Sequence, residues 1–559
     1  MDKLVECVPN FSEGRDLTVI DKITAEIKTV EGVTLLDVDP GADTNRTVVT
    51  LIGEPQATVE AAFRAIKRAS ELIDMSKHTG AHPRQGATDV CPFVPVAGVT
   101  TDDCVKLAKQ LGKRVGKELE IPVYLYEHAA TRPERRSLAD IRVGEYEALA
   151  EKLKKPEFEP DFGPAKFNAK AGATVIGCRE FLIAFNVNLN TRNHRKANAV
   201  AFDVRSKGRS KTGADGKVVK DENGNPVVEP GTLKEVRGIG WYIDEYNMAQ
   251  ISMNLTNYKV TPIHVALEEV RDKARARGLI VTGSELVGLI PRQAMLDAGR
   301  YYLELCGSSP GQPEEEKIRL AVQSMGLEEL KPFDPQDKIV EYRAGFALAG
   351  PLMGLSCRGF LNELSIDSPA PGGGSVAALA GSLGASLAAM VANLTTRNKK
   401  YTAVKEEMCD VAFHAQEVKD RLCRIVDEDT QAFNKLLETM RLPSDTPEEK
   451  QARHAAIQQA TKNATLIPFE AMERSLEALR LARTVAERGM TTSASDAGVA
   501  ALMARAAVEG AYLNVKINVP SIEDEAWVKD HLTRGEQMLD QAQSEVDQVL
   551  KTVYGHIQS

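Results

Sequence analysis

Beyond Phe360 the chain almost stops signalling β-strand, and that change of period limits what it can fold into. Apolar residues recur at steps of three and four through 375–394, 402–440, 447–488, 496–515 and 522–554. Long helical stretches with no strand between them predict an all-α unit. Upstream the period is mixed. Residues 4–9, 33–38, 48–52, 90–94 and 123–126 read as strands, and Val59, Ala62, Phe63, Ile66 and Ile73 recur at helical spacing. Thr101 is the expected N-cap of a further helix, with Asp102 and Asp103 in its first turn. A second α/β stretch follows, with strands at 181–189, 236–243 and 248–255 and helices at 262–277 and 291–305. Within it Asn223-Gly224, flanked by 217–220 and 226–229, reads as a hairpin turn in a surface insertion. A chain of 559 residues exceeds one ordinary core. The expected organisation is two α/β (α+β) units at 1–180 and 181–332, a linker at 333–359, and an all-α domain at 360–559.

Composition excludes several classes. A net charge of −9 argues against nucleic acid as a partner. The most apolar run, 376–394, is broken by Gly381, Ser382, Gly384, Ser386 and Asn393, so no membrane span is expected. Met1-Asp2-Lys3-Leu4 has no signal-peptide pattern. Eight scattered cysteines without a CxxC pair fit a reduced, cytoplasmic protein. No His, Cys and carboxylate cluster has metal-ligand spacing, so no metal is expected. Arg205, Lys207, Arg209 and Lys211 read as a solvated basic face.

A few residues stand out chemically. His78 and His82 share a loop with Gly80, Pro83 and Arg84. Imidazole suits proton transfer near neutral pH, although hydrogen-bonded surface histidines would look the same. Asp39 ends a strand before Pro40-Gly41, with Asp43, Asn45 and Arg46 following; on its own, turn chemistry accounts for it. Asp429 interrupts an apolar stripe of Val418, Leu422, Ile425, Phe433, Leu436 and Met440. A carboxyl there is either a proton donor with a raised pKa or half of an ion pair across a helix interface. Gly372, Gly373, Gly374 and Ser375 open a helix, whose free N–H groups suit an anion or a polar ring edge.

Taken in order, several motifs resemble the formiminotransferase-cyclodeaminase family, folate enzymes of histidine degradation. They are Val5-Glu6-Cys7-Val8-Pro9-Asn10-Phe11-Ser12-Glu13-Gly14, Leu35-Leu36-Asp37-Val38-Asp39, Thr44-Asn45-Arg46-Thr47, His82-Pro83-Arg84, Asp161-Phe162-Gly163-Pro164, Gly238-Ile239-Gly240-Trp241, Pro371-Gly372-Gly373-Gly374-Ser375, Val426-Asp427-Glu428-Asp429 and Gly510-Ala511-Tyr512-Leu513-Asn514-Val515. The resemblance implies two transferase subdomains followed by a helical cyclodeaminase domain. It implies transfer of a formimino group from N-formimino-L-glutamate to tetrahydrofolate, then ring closure to 5,10-methenyltetrahydrofolate with loss of ammonia. By the same resemblance His82 is the transferase acid/base, Asp39 orients it, and Asp429 serves the cyclodeaminase. Gly163, Pro164, Lys166, Phe167 and Gly172 fall in the implied folate-binding segment, and Gly372, Gly373, Gly374 and Ser375 at the second folate site. Tetrahydrofolate, polyglutamylated, is the implied co-substrate, with no metal, nucleic acid or membrane, and a ring-like homo-oligomer, an octamer, is the implied assembly. Two alternatives remain at this point: a formyl-type transferase with a silent helical half, and a non-enzymatic folate-binding scaffold.

Overall fold

A computed structural model of the chain describes residues 3–558 apart from Asp43, Ala81, 214–216 and 346–349. The chain divides into two compact units, Met1–Met295 with Met325–Phe346, and Leu296–Ser324 with Ala347–Ser559.

The first unit holds two sheets. The N-terminal one has strands β1 Leu4–Cys7, β2 Asn10–Phe11, β3 Val33–Gly41, β4 Arg46–Gly53, β5 Thr88–Ala97, β6 Val123–Glu127 and β7 Thr174–Cys178. Its order is β1-β4-β2-β5-β7-β6, with β3 on β4; β5–β7 and β6–β7 are parallel and the remaining pairs antiparallel. β5 is buried through Thr88–Pro95, as a central strand covered on both faces must be, so it reads as a continuous apolar run. β3 pairs on one side only, where Pro40 removes no ladder bond that matters. Helices α1 Leu17–Lys28, α2 Pro55–Leu72 and α3 Thr101–Glu118 bury their apolar stripes on one face. Ile23, Ile66, Leu111, Val5 and Phe93 form its core, at about 1.5–3 kcal/mol per buried side chain. The N-cap of α3 is Thr100, not Thr101: Thr100 and Asp103 exchange side-chain-to-backbone bonds at 3.2 Å in a capping box.

The second sheet follows, with β8 Ile183–Leu189, β11 Val236–Ile243, β12 Met248–Leu255 and β13 Val281–Val287 in the order β11-β12-β8-β13, all antiparallel. The short pair β9 Arg209–Ser210 and β10 Val228–Glu229 carries the expected hairpin, with Gly224 at φ 81° in its turn. Arg209 pairs with Asp203, and Lys211 lies 3.8 Å from Glu229, as a solvated basic face would. Helices α4 His194–Val204 and α5 Ile263–Ala276 cover one face of this sheet; Asn186, Asn188 and Gln250 lie buried on the other.

In the second unit, five long helices carry the core: α8 Gly373–Arg397, α9 Lys405–Met440, α10 Pro447–Arg488, α11 Ala494–Asn518 and α12 Glu525–Gln558, the preceding α6 and α7 being Arg292–Leu305 and Glu314–Met325. Alanines dominate where α8 meets α11, among them Ala378, Ala385, Ala392, Ala500, Ala504 and Ala511, and small residues let the backbones approach. By length and composition α8 is apolar enough to cross a membrane, with mean hydropathy 1.7, but 61% of that window is buried within the unit. It is the core helix of a bundle. A boundary at 332 does not describe this unit. Leu296–Ser324 belongs to it because the carbonyl of Gly311 accepts from Asn393 at 2.7 Å and from Gln416 at 3.3 Å. Nor is 333–359 a bare linker: Phe333, Ile339, Val340 and Leu352 are buried. Residues 346–349 of that stretch lie outside the described residues.

Candidate active sites

The loop bearing both histidines leaves α2 through Asp74, whose carboxylate accepts from the Ser76 N–H at 3.1 Å and starts the turn Met75–Lys77. The loop then runs against the β3–β4 connection. A Cβ on Gly80 would lie 2.4 Å from the Thr44 carbonyl oxygen, so only glycine permits the approach. Asn45, at φ 48°, ties the two loops together: its Oδ1 accepts from Gly14 at 3.0 Å and its Nδ2 donates to the Thr79 carbonyl at 2.9 Å.

The two histidines end in different states. Arg84 Nε donates to His78 Nδ1 at 3.2 Å, which leaves the His78 proton on Nε2, donating to the Asn45 carbonyl at 2.9 Å. His78 is thus a fixed bracket. His82 faces Arg46, whose Nη1 donates to its Nε2 at 2.6 Å. Burial first, then the charges of Arg46 and Arg142, hold the His82 pKa down to about 4, so the ring is neutral at physiological pH. Its Nδ1 is buried and makes none of the hydrogen bonds found among the described residues.

Residues 141–147 brace this loop. Arg142 pairs with the buried Asp89, whose other oxygen accepts from the Gln85 N–H at 2.9 Å. Burial nonetheless raises the Asp89 pKa. Arg84 bonds Glu145 at 2.9 Å and Glu147 at 2.7 Å, its carbonyl accepts from Tyr146 N at 2.9 Å, and Lys152 holds the Ile141 and Val143 carbonyls at 2.6 and 2.9 Å.

Asp39 departs from the expected role. It sits exposed on β3 opposite Val48, and His82 is bonded by Arg46 instead; Asp39 acts on Arg46 only through space. Asp43 lies outside the described residues.

The segment from Gly163 to Gly172 does meet the histidine loop. Gly172 bridges Gly86, the Ala171 carbonyl accepts from Ala87 N at 2.8 Å, and Ala173 N donates to the Gln85 carbonyl at 3.1 Å. Asp161 anchors its start, accepting from Leu125 N at 2.8 Å and from Arg135 at 2.7 Å. Gly163 and Gly172 take φ of 81° and 68°. The Phe167 ring is 5.5 Å from that of Tyr146, Pro164 is half-buried, and Lys166 is exposed and makes no ion pair among the described residues.

In the helical unit, Asp429 projects from α9 at the first turn of α8. Ser375 Oγ donates to its Oδ2 at 3.3 Å and the Ser375 N–H bonds it as well. A Cβ on Gly374 would lie 2.2 Å from Asp429 Oδ1. Gly372 is the N-cap, and Gly373 faces the side-chain amide of Asn514 on α11. Burial raises the Asp429 pKa, and the Ser375 bonds offset it in part. No Lys or Arg pairs with Asp429 among the described residues, which removes the ion-pair reading left open by periodicity. Asp427 points elsewhere: it accepts from Leu352 N at 2.7 Å and Met353 N at 3.3 Å.

Sequence reasoning assigned no role to Arg46, Asp89, Arg142 or Asn514. The only signal for Arg46 was its place in Thr44-Asn45-Arg46-Thr47, and for Asn514 its place in the last helical motif.

Three family models match the chain: the formiminotransferase domain, N-terminal subdomain, over residues 4–179; the formiminotransferase domain over 184–345; and formiminotransferase-cyclodeaminase over 356–537. The formimidoyltransferase-cyclodeaminase of Mus musculus is 44% identical over 557 residues, 98% of each chain. The glutamate formimidoyltransferase of Streptococcus pyogenes serotype M1 is 44% identical over 305 residues, 55% of this chain and 95% of that one. The methenyltetrahydrofolate cyclohydrolase of Methylorubrum extorquens is 38% identical over 194 residues, 35% of this chain and 93% of that one. With two α/β subdomains, a helical unit and full-length identity of this order, the chain belongs to the formimidoyltransferase-cyclodeaminase family.

Proposed function

We propose that this chain performs both reactions of its family, moving the formimino group of N-formimino-L-glutamate to N5 of tetrahydrofolate and then closing the ring to 5,10-methenyltetrahydrofolate with release of ammonia. One observation supports the reading: an imidazole bonded by Arg46 lies in the region matched by the transferase models, and a buried carboxyl bonded by Ser375 lies in the region matched by the cyclodeaminase model.

In the transfer, N5 attacks the formimino carbon, the N5–C bond forms, and the C–N bond to glutamate breaks. The N5 proton must leave and the glutamate nitrogen must gain one. A neutral imidazole can take the first and return it to the second, and His82 is held neutral. In the cyclisation, N10 attacks the same carbon, the N10–C bond forms and the C–N bond to the leaving nitrogen breaks; that nitrogen, which carries one hydrogen, takes the proton lost by N10 and a second from a carboxyl, and departs as ammonia. Asp429 is the candidate donor, since burial raises its pKa and so favours the protonated carboxyl. The Gly373 and Gly374 amides would hold a polar edge of the folate.

The segment 163–172 is the proposed folate site at the transferase, with Lys166 free to meet a polyglutamate tail. A cytoplasmic location is supported by eight free cysteines. A homo-oligomer, read as a ring-like octamer, is supported by exposed apolar residues on one stripe of α8, Leu383 at 49% and Met390 at 38%, and on α11, Leu513 at 64% and Ile517 at 76%. No nucleic-acid or membrane partner is part of this reading.

The test mixes pure protein with tetrahydrofolate and N-formimino-L-glutamate and follows methenyl-folate absorbance, ammonia and glutamate. Equal methenyl-folate and ammonia are expected. Glutamate release without ammonia would reduce the chain to a transferase, and no reaction would return it to a scaffold.

A further inference from the structure

Among the described residues, several buried polar atoms in and around the histidine loop find no hydrogen-bond partner. They are Arg46 Nε, Arg142 Nε, His82 Nδ1, Gln85 Oε1 and Thr88 Oγ1. Buried polar atoms are seldom left this way, and several together mark a place where a ligand supplies the missing bonds. The charges are unequal. Arg46 and Arg142 both face Asp89, which Arg142 already takes, and Asp39 acts on Arg46 only through space. Among the described residues Arg46 makes no ion pair; its Nη1 donates instead to a neutral imidazole. A guanidinium left over in this way presents a planar fork matched to a carboxylate.

The space is also instructive. Arg46, His82, Asn45, His78 and Asp89 line a space too tight for a water-sized sphere. Ligand pockets are usually about 300–1,000 Å³. Arg46 lines this closed space, and its guanidinium also occupies His82 Nε2, a lone pair the imidazole needs in order to accept a proton.

We propose that Arg46 is the carboxylate anchor of the transferase site: a glutamyl carboxylate draws its guanidinium off His82, opening the pocket and freeing Nε2 in one movement. The proposal rests on the transferase reading and deepens it, since it makes His82 competent only when the amino-acid substrate is bound. His82 faces Arg46 from β4 and Arg142 and Glu145 from the 141–147 segment. Pairing Arg46 with a carboxylate cancels one of the two positive charges on the imidazole.

The same chemistry could come from the glutamyl tail of folate, so the test separates the two. Full-length protein and Arg46→Gln are titrated calorimetrically with L-glutamate, with tetrahydrofolate and with pteroic acid, which lacks the tail. The transferase pH profile is recorded in parallel. The expectation is that Arg46→Gln weakens L-glutamate about 100-fold, raises KM for formimino-glutamate similarly, leaves both pteridines within about threefold, and moves the acidic limb of kcat/KM upward in pH. L-glutamate affinity unchanged in Arg46→Gln, or wild-type protein that binds no L-glutamate, would overturn the anchor. Loss of tetrahydrofolate affinity with pteroic acid and L-glutamate unchanged would give Arg46 to the folate tail and overturn it equally. If Arg46→Gln does not fold, Arg46→Lys decides: it keeps the charge but not the fork, and wild-type glutamate affinity with an unmoved pH limb would refute the proposal. Wild-type protein that binds glutamate yet releases none from formimino-glutamate would count against the transferase reading, not against Arg46.

Discussion

Gly374→Ala should disable ring closure while leaving formimino transfer intact. The added Cβ would lie 2.2 Å from Asp429 Oδ1 and 2.5 Å from its Cγ, where 3.4 Å is an ordinary contact. The carboxylate must therefore retreat by about 1.2 Å, and it leaves the Ser375 bonds as it goes. A catalytic group misplaced by about 1 Å typically costs about 100-fold in rate, equivalent to about 3 kcal/mol in the barrier. The fold is not at risk, because alanine is favoured over glycine by up to about 1 kcal/mol within a helix. Gly373→Ala provides the contrast: its Cβ would meet Asn514 Nδ2 at 3.3 Å, and that amide needs to yield only a few tenths of an ångström. The assay supplies 5-formimino-tetrahydrofolate and follows ammonia, with glutamate release from formimino-glutamate as the internal control. Gly374→Ala should fall about 100-fold and Gly373→Ala only a few-fold, both with normal transfer. Gly374→Ala within about threefold of wild type in ammonia release would refute the assignment of Asp429 as proton donor at the α8 terminus.

Other perturbations separate the remaining parts. His82→Ala should abolish glutamate release but spare ammonia release from supplied 5-formimino-tetrahydrofolate, and Asp429→Asn should do the reverse; one variant losing both activities would contradict two independent sites. Asp161→Ala strips the partner from Arg135, both side chains being under 10% exposed, and should cost about 3–5 kcal/mol in urea unfolding while raising KM for tetrahydrofolate; an unchanged midpoint would mean that the pair does not anchor 163–172. Glu6, buried on β1, has its pKa raised to about 7, chiefly by burial, with Arg179 pulling it down and Glu341 pushing it up. Between pH 4.5 and 7 the folded state holds a proton that the unfolded chain has released, so stability falls as pH rises through that window, by about 3 kcal/mol in all. Glu6→Gln should therefore exceed wild type in stability at pH 8 and lose that advantage toward pH 4.5; a difference constant with pH would sink the argument.

The sequence was most readable where one period runs long. α10 spans Pro447–Arg488 as the pattern indicates, and Asp429 was visible because it interrupts an otherwise regular stripe. β7 and β13 escaped notice. β7 is five residues long and buried throughout, and β13 holds Gly283 and Ser284, so neither alternates. The histidine loop was legible as polar, but not in wiring. His82 takes its partner from Arg46, and Arg84 and Asp89 take theirs from 141–147, all remote along the chain. A polar residue in a loop carries no periodicity to show what it will meet. Asp39 illustrates the same limit, since its place on a strand was legible and the bond that His82 makes to Arg46 was not.

The order β5-β7-β6 has a consequence for how the chain can be made. β7 is the last strand of its sheet to leave the ribosome, yet it lies between two earlier ones, and β6 pairs with no other named strand. Until Thr174–Cys178 emerges, β6 has nothing to join, and β5 presents a bare edge to any other nascent chain. The same late stretch carries Ala171 and Ala173, whose backbone bonds fix Gln85 and Ala87 behind the histidine loop. A polypeptide cut short of Cys178 would thus contain His82, Arg46 and the whole brace at 141–147 and still lack a formed site. The first catalytic centre becomes complete only as translation reaches the second sheet.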